Sequence, residues 1–393
     1  MSGTVPDAAL LDRYAPVFAE IGEHALDRER ERTLPFEQIR LLQASGFTAL
    51  RVPAELGGGG ATIRQLFLLL TRLAAADPHV PQALRGHFAF VEDRLAAAPG
   101  GERDAWLRRF VNGETVGNAV TEVGTVAVGR TATRLRRNGD RWSVTGRKYY
   151  TTGSIFAEWI DATASDEEGH EYAALLRRDQ AGVTVLDDWD GFGQGLTGTG
   201  TAVFEDAVAE HVYDFADRFP TQTAFYQLVL VAVLAGISAA VERDVVAELQ
   251  DRARVFSHGT AAQSRRDPQL LEIVGRISAS AAAAEAIVVG ASSVLEAAST
   301  GAATKRDAEL AAARAQVVVG PLAIEAASAL FDPLGASATG RPRLLDRHWR
   351  NARTVASHNP AAFKARIVGD ALVNDAEPPY EWAVGVSPAR NQE

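Results

Sequence analysis

The hydrophobic period of the chain changes twice, and this restricts the fold more than any other feature. Residues 1 to about 114 repeat apolar side chains at helical spacing, as in Leu10, Leu11, Tyr14, Val17, Phe18 and Ile21, and again in Phe36, Ile39, Leu41 and Leu42. From about Thr115 to Phe215 the period falls to two and β-branched residues take over. Long alanine-rich stretches at helical spacing return after that. The expectation is an α+β protein, mostly α: an N-terminal helical domain (1–114), a central β domain (115–215) and a C-terminal helix bundle (216–376). Residues 377–393 carry three prolines and little periodicity and read as an arm or tail.

Local signals refine this plan. The run Gly57-Gly58-Gly59-Gly60, shortly after Pro53, must be a loop, and Thr62 is placed to cap the helix that follows. Asn138-Gly139 lies between strand-like runs 131–137 and 141–144, a hairpin signal with both residues at positive φ. Further runs at 159–164, 171–176 and 201–204 suggest a compact sandwich or barrel. Breaks near His258, Asp267-Pro268, Gly301 and Asp332-Pro333 divide the last zone into an antiparallel bundle. The stretch Phe219–Val241 has no charge in 23 residues, long enough to cross a bilayer. Pro220, Thr221, Gln222, Thr223, Gln227 and Ser238 interrupt it, and Glu242, Arg243 and Asp244 continue it into polar sequence, so it reads as a fully buried helix and not a membrane span.

Charge and composition exclude several functions. With 40 Lys+Arg against 50 Asp+Glu the net charge is −10, giving no global attraction to nucleic acid or an anionic membrane. The absence of cysteine removes disulfides, thiolate metal sites and Cys nucleophiles, and suits a reducing cytoplasm. Asp7 and Asp12 stand where an export signal needs a basic cap and an apolar run. Gly193-Gln194-Gly195-Leu196-Thr197-Gly198 spells GxGxxG, but a strand pattern through Phe204 follows instead of a helix, so no dinucleotide site is expected. The eight histidines form no i, i+4 pair and no ligand cluster, so no metal is expected.

Leu41-Leu42-Gln43-Ala44-Ser45-Gly46-Phe47 with Arg51-Val52-Pro53-Ala54-Glu55-Leu56-Gly57-Gly58, then Asn118-Ala119-Val120-Thr121-Glu122, then Gly146-Arg147-Lys148-Tyr149-Tyr150-Thr151-Thr152-Gly153, and finally Leu345-Asp346-Arg347-His348-Trp349-Arg350-Asn351-Ala352-Arg353-Thr354 resemble, in this order, the acyl-CoA dehydrogenase superfamily. The resemblance covers nearly the whole chain and implies that superfamily's fold. Its dehydrogenases use a carboxylate base, commonly a Glu in a Tyr-Glu-Gly-Thr stretch. Here the stretch reads Val355-Ala356-Ser357-His358-Asn359-Pro360 and the Glu is missing. That variant, with Asp188-Trp189-Asp190-Gly191-Phe192-Gly193-Gln194, instead resembles the two-component flavin monooxygenases of the fold, which include dibenzothiophene monooxygenase, sulfur-acquisition oxygenases and relatives acting on indoles and amines.

The resemblance implies reduced flavin (FMN or FAD) delivered by a separate NAD(P)H:flavin reductase and O2 as co-substrate. A C4a-hydroperoxide would oxygenate a small, aromatic or heterocyclic substrate at sulfur, nitrogen or carbon. A homotetramer is implied too, because a neighbouring subunit often holds part of the flavin phosphate. By carry-over, Asn118 and Thr121 are donors to the isoalloxazine edge, Thr151 with Thr152 lies near flavin N5, and His358 is the catalytic residue. A structural reading of His358 is a cap on a helix-terminal carbonyl. His87, in Leu84-Arg85-Gly86-His87-Phe88, resembles a histidine facing the substrate, with an ordinary core histidine as the alternative. Arg254 with Phe256, and Arg347 or Arg350, are phosphate candidates or else solvated arginines. Two rival functions remain: a dehydrogenase or oxidase, which needs a carboxylate at the flavin face, and an inert scaffold, which would have lost Asn118, Thr121, Thr151 and His358.

Overall fold

A computed structural model of the chain describes residues 5–124 and 130–381; most of the expected tail, 382–393, lies outside them. The N-terminal zone is helical: α1 (Asp7–Glu23), α2 (Ala25–Glu31), α3 (Phe36–Ala44), α4 (Ile63–Ala76), α5 (His79–Ala83), α6 (Arg85–Ala96) and α7 (Gly101–Val111). The glycine run forms the expected loop. Thr62 caps α4 in a reciprocal box, its hydroxyl accepting from the Gln65 N–H while the Gln65 side chain accepts from the Thr62 N–H.

Seven strands follow: β1 (Val116–Ala119), β2 (Arg134–Asn138), β3 (Arg141–Lys148), β4 (Trp159–Ser165), β5 (Glu171–Arg177), β6 (Val183–Val185) and β7 (Ala202–Asp214). The β2–β3, β3–β7, β7–β5 and β5–β4 pairs are antiparallel, and a single parallel pairing, Arg134 with Ser165, joins β2 back to β4. These five strands therefore close a small barrel, with β1 parallel on β4 and β6 on β7. Leu135, Val144, Ile160, Ala162, Ala174, Leu176, Phe204 and Ala207 fill it. The β2–β3 turn differs from expectation by one residue: Asn138 still pairs with Arg141, so Gly139 and Asp140 form the turn and, of these three, Gly139 alone takes positive φ, +62°. A strand ending in Asn costs no left-handed strain, and glycine absorbs the bend.

The last zone comprises α8 (Gln222–Asp251), α9 (Pro268–Ser299), α10 (Lys305–Ala329), α11 (Asp346–Ala356) and α12 (Ala361–Val373). Asp267 caps α9 with Pro268 at its first position, and Gly301, at φ +79°, follows its C-terminus. By length and composition α8, α9 and α10 are each apolar enough to cross a membrane, but 89% of the apolar window of α8 is buried within the protein, as the polar interruptions implied. The N- and C-terminal helices share one core, where Tyr14, Phe18, Phe47, Phe67 and Phe88 meet Phe225 and the apolar body of α8.

A second apolar cluster, Phe90, Trp106, Phe110, Val116 and Trp159, joins α6 and α7 to β1 and β4. The same seam brings Gly153, at φ +82°, against α5, where an added Cβ would stand 1.9 Å from the Ala83 carbonyl oxygen. Gly153→Ala is expected to lower the unfolding free energy by more than about 2 kcal/mol, measured by thermal or urea unfolding, because both the backbone angle and the space exclude a side chain.

Candidate active site

The first turn of α6, the end of β1, the 149–154 and 188–201 loops and the α11–α12 turn converge at the seam. Gly86 lets α6 touch β1: a Cβ there would lie 2.8 Å from Asn118 Oδ1 and 3.0 Å from Asn118 Cβ. The Ser154 hydroxyl donates to the Asn118 carbonyl at 3.0 Å. Asn118 is buried, and its Oδ1 has no hydrogen-bond partner among the described residues. Beyond β1, the Lys148 ammonium donates to Glu122 at 2.7 Å and to the Val120 carbonyl at 3.1 Å, while the Tyr149 N–H donates to the Thr121 carbonyl at 2.8 Å. This buried pair clamps the Val120–Glu122 segment onto β3. Glu122, held low by Lys148, stays ionised. Thr121 is half-buried there.

A string of hydroxyls lines the loop opposite. Thr197 donates to the Gln194 carbonyl at 3.0 Å, Thr199 lies 2.8 Å from Thr197, and Thr152 lies 2.7 Å from Thr199. A carbonyl only accepts, so the direction of every proton is fixed: Thr197 donates to Gln194, Thr199 to Thr197, and Thr152 to Thr199. Thr152 is left with lone pairs alone to offer. Thr151 has no exposed surface, and its hydroxyl donates to the Gly200 carbonyl at 3.1 Å. Of the two threonines, Thr152 retains a little exposure.

His358 lies in the turn after α11, where its N–H donates to the Val355 carbonyl at 3.2 Å. Its backbone, not its ring, therefore makes the helix-terminal bond. The ring is enclosed by protein yet exposed, so it faces an opening within the molecule. Desolvation, followed by the nearby Arg85 charge, pushes its pKa down to about 3, with the Asn359 carboxamide opposing weakly; at neutral pH it is an uncharged imidazole. No carboxylate among the described residues is felt at His358. The candidate nearest in character is Glu309, which burial raises to about 7, but it accepts from the Ala224 N–H at 2.9 Å and faces Lys364, away from the imidazole.

Several expected site residues have other positions. His87 is fully buried: its Nε2 lies 2.8 Å from the Thr48 carbonyl, and its Nδ1 accepts from the Val116 N–H at 3.3 Å. Both ring nitrogens are thus used by backbone, the tautomer is Nε2–H, and no ring atom is available to a substrate. His87 is a staple between α6, β1 and the α3–α4 connection. Arg347 is paired with Asp244, which also accepts from His348, and Arg350 with Asp346 at 2.8 Å and Glu29 at 3.1 Å. Arg350 also donates to the Phe192 carbonyl at 3.0 Å, the Asn351 carboxamide accepts from the Gln194 N–H at 2.6 Å, and Trp349 stacks on Phe192. The late-helix motif therefore docks the 188–201 loop, and both its arginines are neutralised within the chain. Arg254 and Phe256 are exposed on the α8–α9 connection, Phe256 bordering a hollow of about 340 Å³ with His258, Asp267 and Asp332. Nothing within the chain joins that hollow to His358.

Three residues escaped the sequence reading. Gln194 is buried at φ +54°, with both side-chain polar atoms unpartnered. Arg85 opens α6 and lies over the Tyr226 ring at 5.1 Å. Tyr226, on α8, has its hydroxyl pushed up by burial and by Asp161. Arg85 adjoins His87 in the motif, but only the fold reveals which of the two faces the opening.

Family models of the acyl-CoA dehydrogenase match the chain in two parts, the N-terminal domain over residues 15–114 and the C-terminal domain over 228–363. The probable FMNH2-dependent monooxygenase SfnC of Pseudomonas putida is 26% identical over 390 residues, 95% of this chain and 96% of its own. Dibenzothiophene monooxygenase of Rhodococcus qingshengii is 24% identical, with 90% of each chain covered. Among solved structures, TdsC from Paenibacillus sp. A11-2, in complex with FMN and indole, superposes with a TM-score of 0.88 at 25% identity, covering 95% of this chain and 99% of its own. Methanesulfinate monooxygenase MsuC from Pseudomonas fluorescens gives 0.85 at 24% identity, covering 94% and 98%.

Burial holds the His87 and His348 pKa values at about 4, below the ordinary 6.5. The unfolded chain takes up these protons from about pH 6.5 downward and the folded chain does not, so stability falls as pH drops from 6.5 to 4, each group contributing up to about 1.4 kcal/mol per pH unit. His87→Asn is expected to cost about 2 kcal/mol at pH 7 and to flatten that slope in urea unfolding measured across the window.

Proposed function

The chain belongs to the acyl-CoA dehydrogenase superfamily, and on that premise we propose that it works as a two-component flavin-dependent monooxygenase. It would take reduced flavin from a separate NAD(P)H:flavin reductase and, with O2, oxygenate a small organic molecule. One observation carries the reading. Where a dehydrogenase needs an ionised carboxylate to remove an α-proton, this site holds a neutral imidazole beside an arginine, with no carboxylate acting on it.

The residues present fit an isoalloxazine. Asn118 has a buried amide oxygen awaiting a donor, Gln194 a buried amide with neither end used, and Thr152 a hydroxyl restricted to accepting. Asn118, Thr121, Thr152 and Gln194 would hold the ring. When bound, reduced flavin supplies the two electrons that split O2 into one oxygen atom for the substrate and one for water. The protein's part is to keep water from the reacting oxygen, to orient the substrate, and to present the imidazole Nε2 or Nδ1 as an uncharged hydrogen-bonding group that holds or passes a proton. FMN is favoured over FAD by the FMNH2 in the name of the Pseudomonas relative and by the FMN in the Paenibacillus structure. The apolar window of α9 is only 33% buried, which favours self-association, and we take the assembly to be a homotetramer in which Arg254 and Phe256 would serve a neighbouring subunit's flavin phosphate.

Coupled to a flavin reductase, NADH and 18O2, the protein is expected to place one labelled atom in product; anaerobic bleaching of oxidised flavin by an acyl-CoA thioester, with no label incorporated, would instead indicate a dehydrogenase. His358→Ala should raise hydrogen peroxide released per O2 consumed several-fold, and wild-type coupling in that variant removes the role assigned to it. The hydroxyl string gives a further expectation. A Thr152 that can only accept suits the N–H at N5 of reduced flavin and not the bare N5 of oxidised flavin. Thr199→Val frees the Thr152 proton, so oxidised FMN should bind about 5- to 10-fold tighter relative to reduced FMN, roughly the value of one hydrogen bond, by fluorescence and anaerobic titration.

A further inference from the structure

Buried arginines in this chain come with carboxylates. Arg28 lies 2.8 Å from Asp77, Arg51 lies 2.6 Å from Glu92, and Arg218 lies 2.5 Å from Asp93 and 2.6 Å from Asp161. Arg94, which has no ion pair, stacks 4.0 Å over Tyr213 at a hollow that also carries Glu102 and Asp217. Arg85 is different. It is only 7% exposed, its Nε is fully covered with no acceptor, and no acceptor among the described residues bonds either terminal nitrogen. Its neighbours are the Tyr226 ring and His358, both uncharged at neutral pH, while the nearest acidic groups, Asp93 and Asp161, are held by Arg218. Removing a guanidinium from water without a counter-charge is among the costliest arrangements in a folded chain, and it persists where a ligand supplies the charge.

Resting on the monooxygenase reading only for calling the ligand a substrate, we propose that Arg85 anchors an organic oxyanion, a carboxylate or a sulfinate, in the opening that His358 faces. The fork geometry of guanidinium matches two oxygens of either group, and the Tyr226 ring beneath it holds the fork flat. The anion and the reacting atom would then lie on one small molecule, with Arg85 fixing one end while the imidazole of His358 stands near the other. Arg85 is in this sense a specificity residue that touches substrate, and it leaves flavin binding to the β1 and 188–201 segments.

The test uses flavin-free protein and calorimetric titration, with methanesulfinate and benzoate as anions and dimethyl sulfone and benzamide as their neutral counterparts. At least one anion is expected to bind ten-fold or more tighter than its counterpart; whichever binds distinguishes sulfinate from carboxylate. Arg85→Met should lose that preference, Arg85→Lys should retain part of it, and FMN affinity should be unchanged in both. Equal binding of anion and neutral counterpart by the wild-type protein overturns the proposal, and so does loss of FMN binding in Arg85→Met with anion binding intact. The wild-type comparison stands even if Arg85→Met does not fold. Failure to incorporate oxygen would sink the monooxygenase reading and leave the anion titration untouched, so the two failures are separable.

Discussion

The site depends on how closely the helical core approaches the barrel at the start of α6. Helix and strand surfaces normally stand apart by the thickness of their side chains, about 10 Å between layers. Here Gly86 faces the Asn118 side chain, Gly117 faces the backbone of Ser154, and Gly153 faces the Ala83 carbonyl, so three glycines remove the spacing where α5 and α6 meet β1 and the 149–154 loop. His87 then bonds both sides of the joint through its two ring nitrogens. Every group discussed as functional is carried by a segment that this joint fixes: Arg85 one residue before the contact, Asn118 within it, Thr151 and Thr152 immediately before Gly153. A shift here displaces all of them together, which explains why a histidine without a chemical task occupies the centre of the motif.

Much of this was legible in sequence because it follows from local rules. The change of period marked the strand zone, Thr62 and Asp267-Pro268 marked helix starts, and polar interruptions showed that the uncharged run belonged in a core. β1 and β6, four and three residues long, were missed because so short a run has no measurable period. The site was legible in part. Missing Glu in the turn after α11 pointed to His358, and that residue does face the opening. The assignment of His87, by contrast, could not be decided by type: an imidazole that staples two backbones and one that meets a ligand have the same letter, and they differ only in whether both nitrogens find partners. Arg85 went unread for the converse reason. An arginine in sequence is solvated by default, and its lack of a carboxylate is a property of three-dimensional surroundings. The arginines of the late helix misled similarly, since their forks match phosphate but find Asp244, Asp346 and Glu29 first.

The distribution of charge gives these placements a common logic. On one side of Tyr226, Arg218 is held between Asp93 and Asp161, a closed group that needs nothing from outside. On the other side Arg85 and His358 form an open pair, one permanently charged and the other kept neutral in part by that charge. A carboxylate in place of His358 would close the pair at once: it would sit beside Arg85 as an internal salt bridge, lower its own pKa, and leave the opening without net charge. A neutral imidazole leaves the guanidinium unspent while still offering a nitrogen to hydrogen-bond. Exchanging an acid for a histidine in this turn therefore changes two properties together. It removes the base that carbon–hydrogen bond cleavage requires, and it leaves a buried cation free to receive a negatively charged guest in a place from which water is largely excluded. The loss of one activity and the gain of a site for another are, physically, consequences of the same substitution.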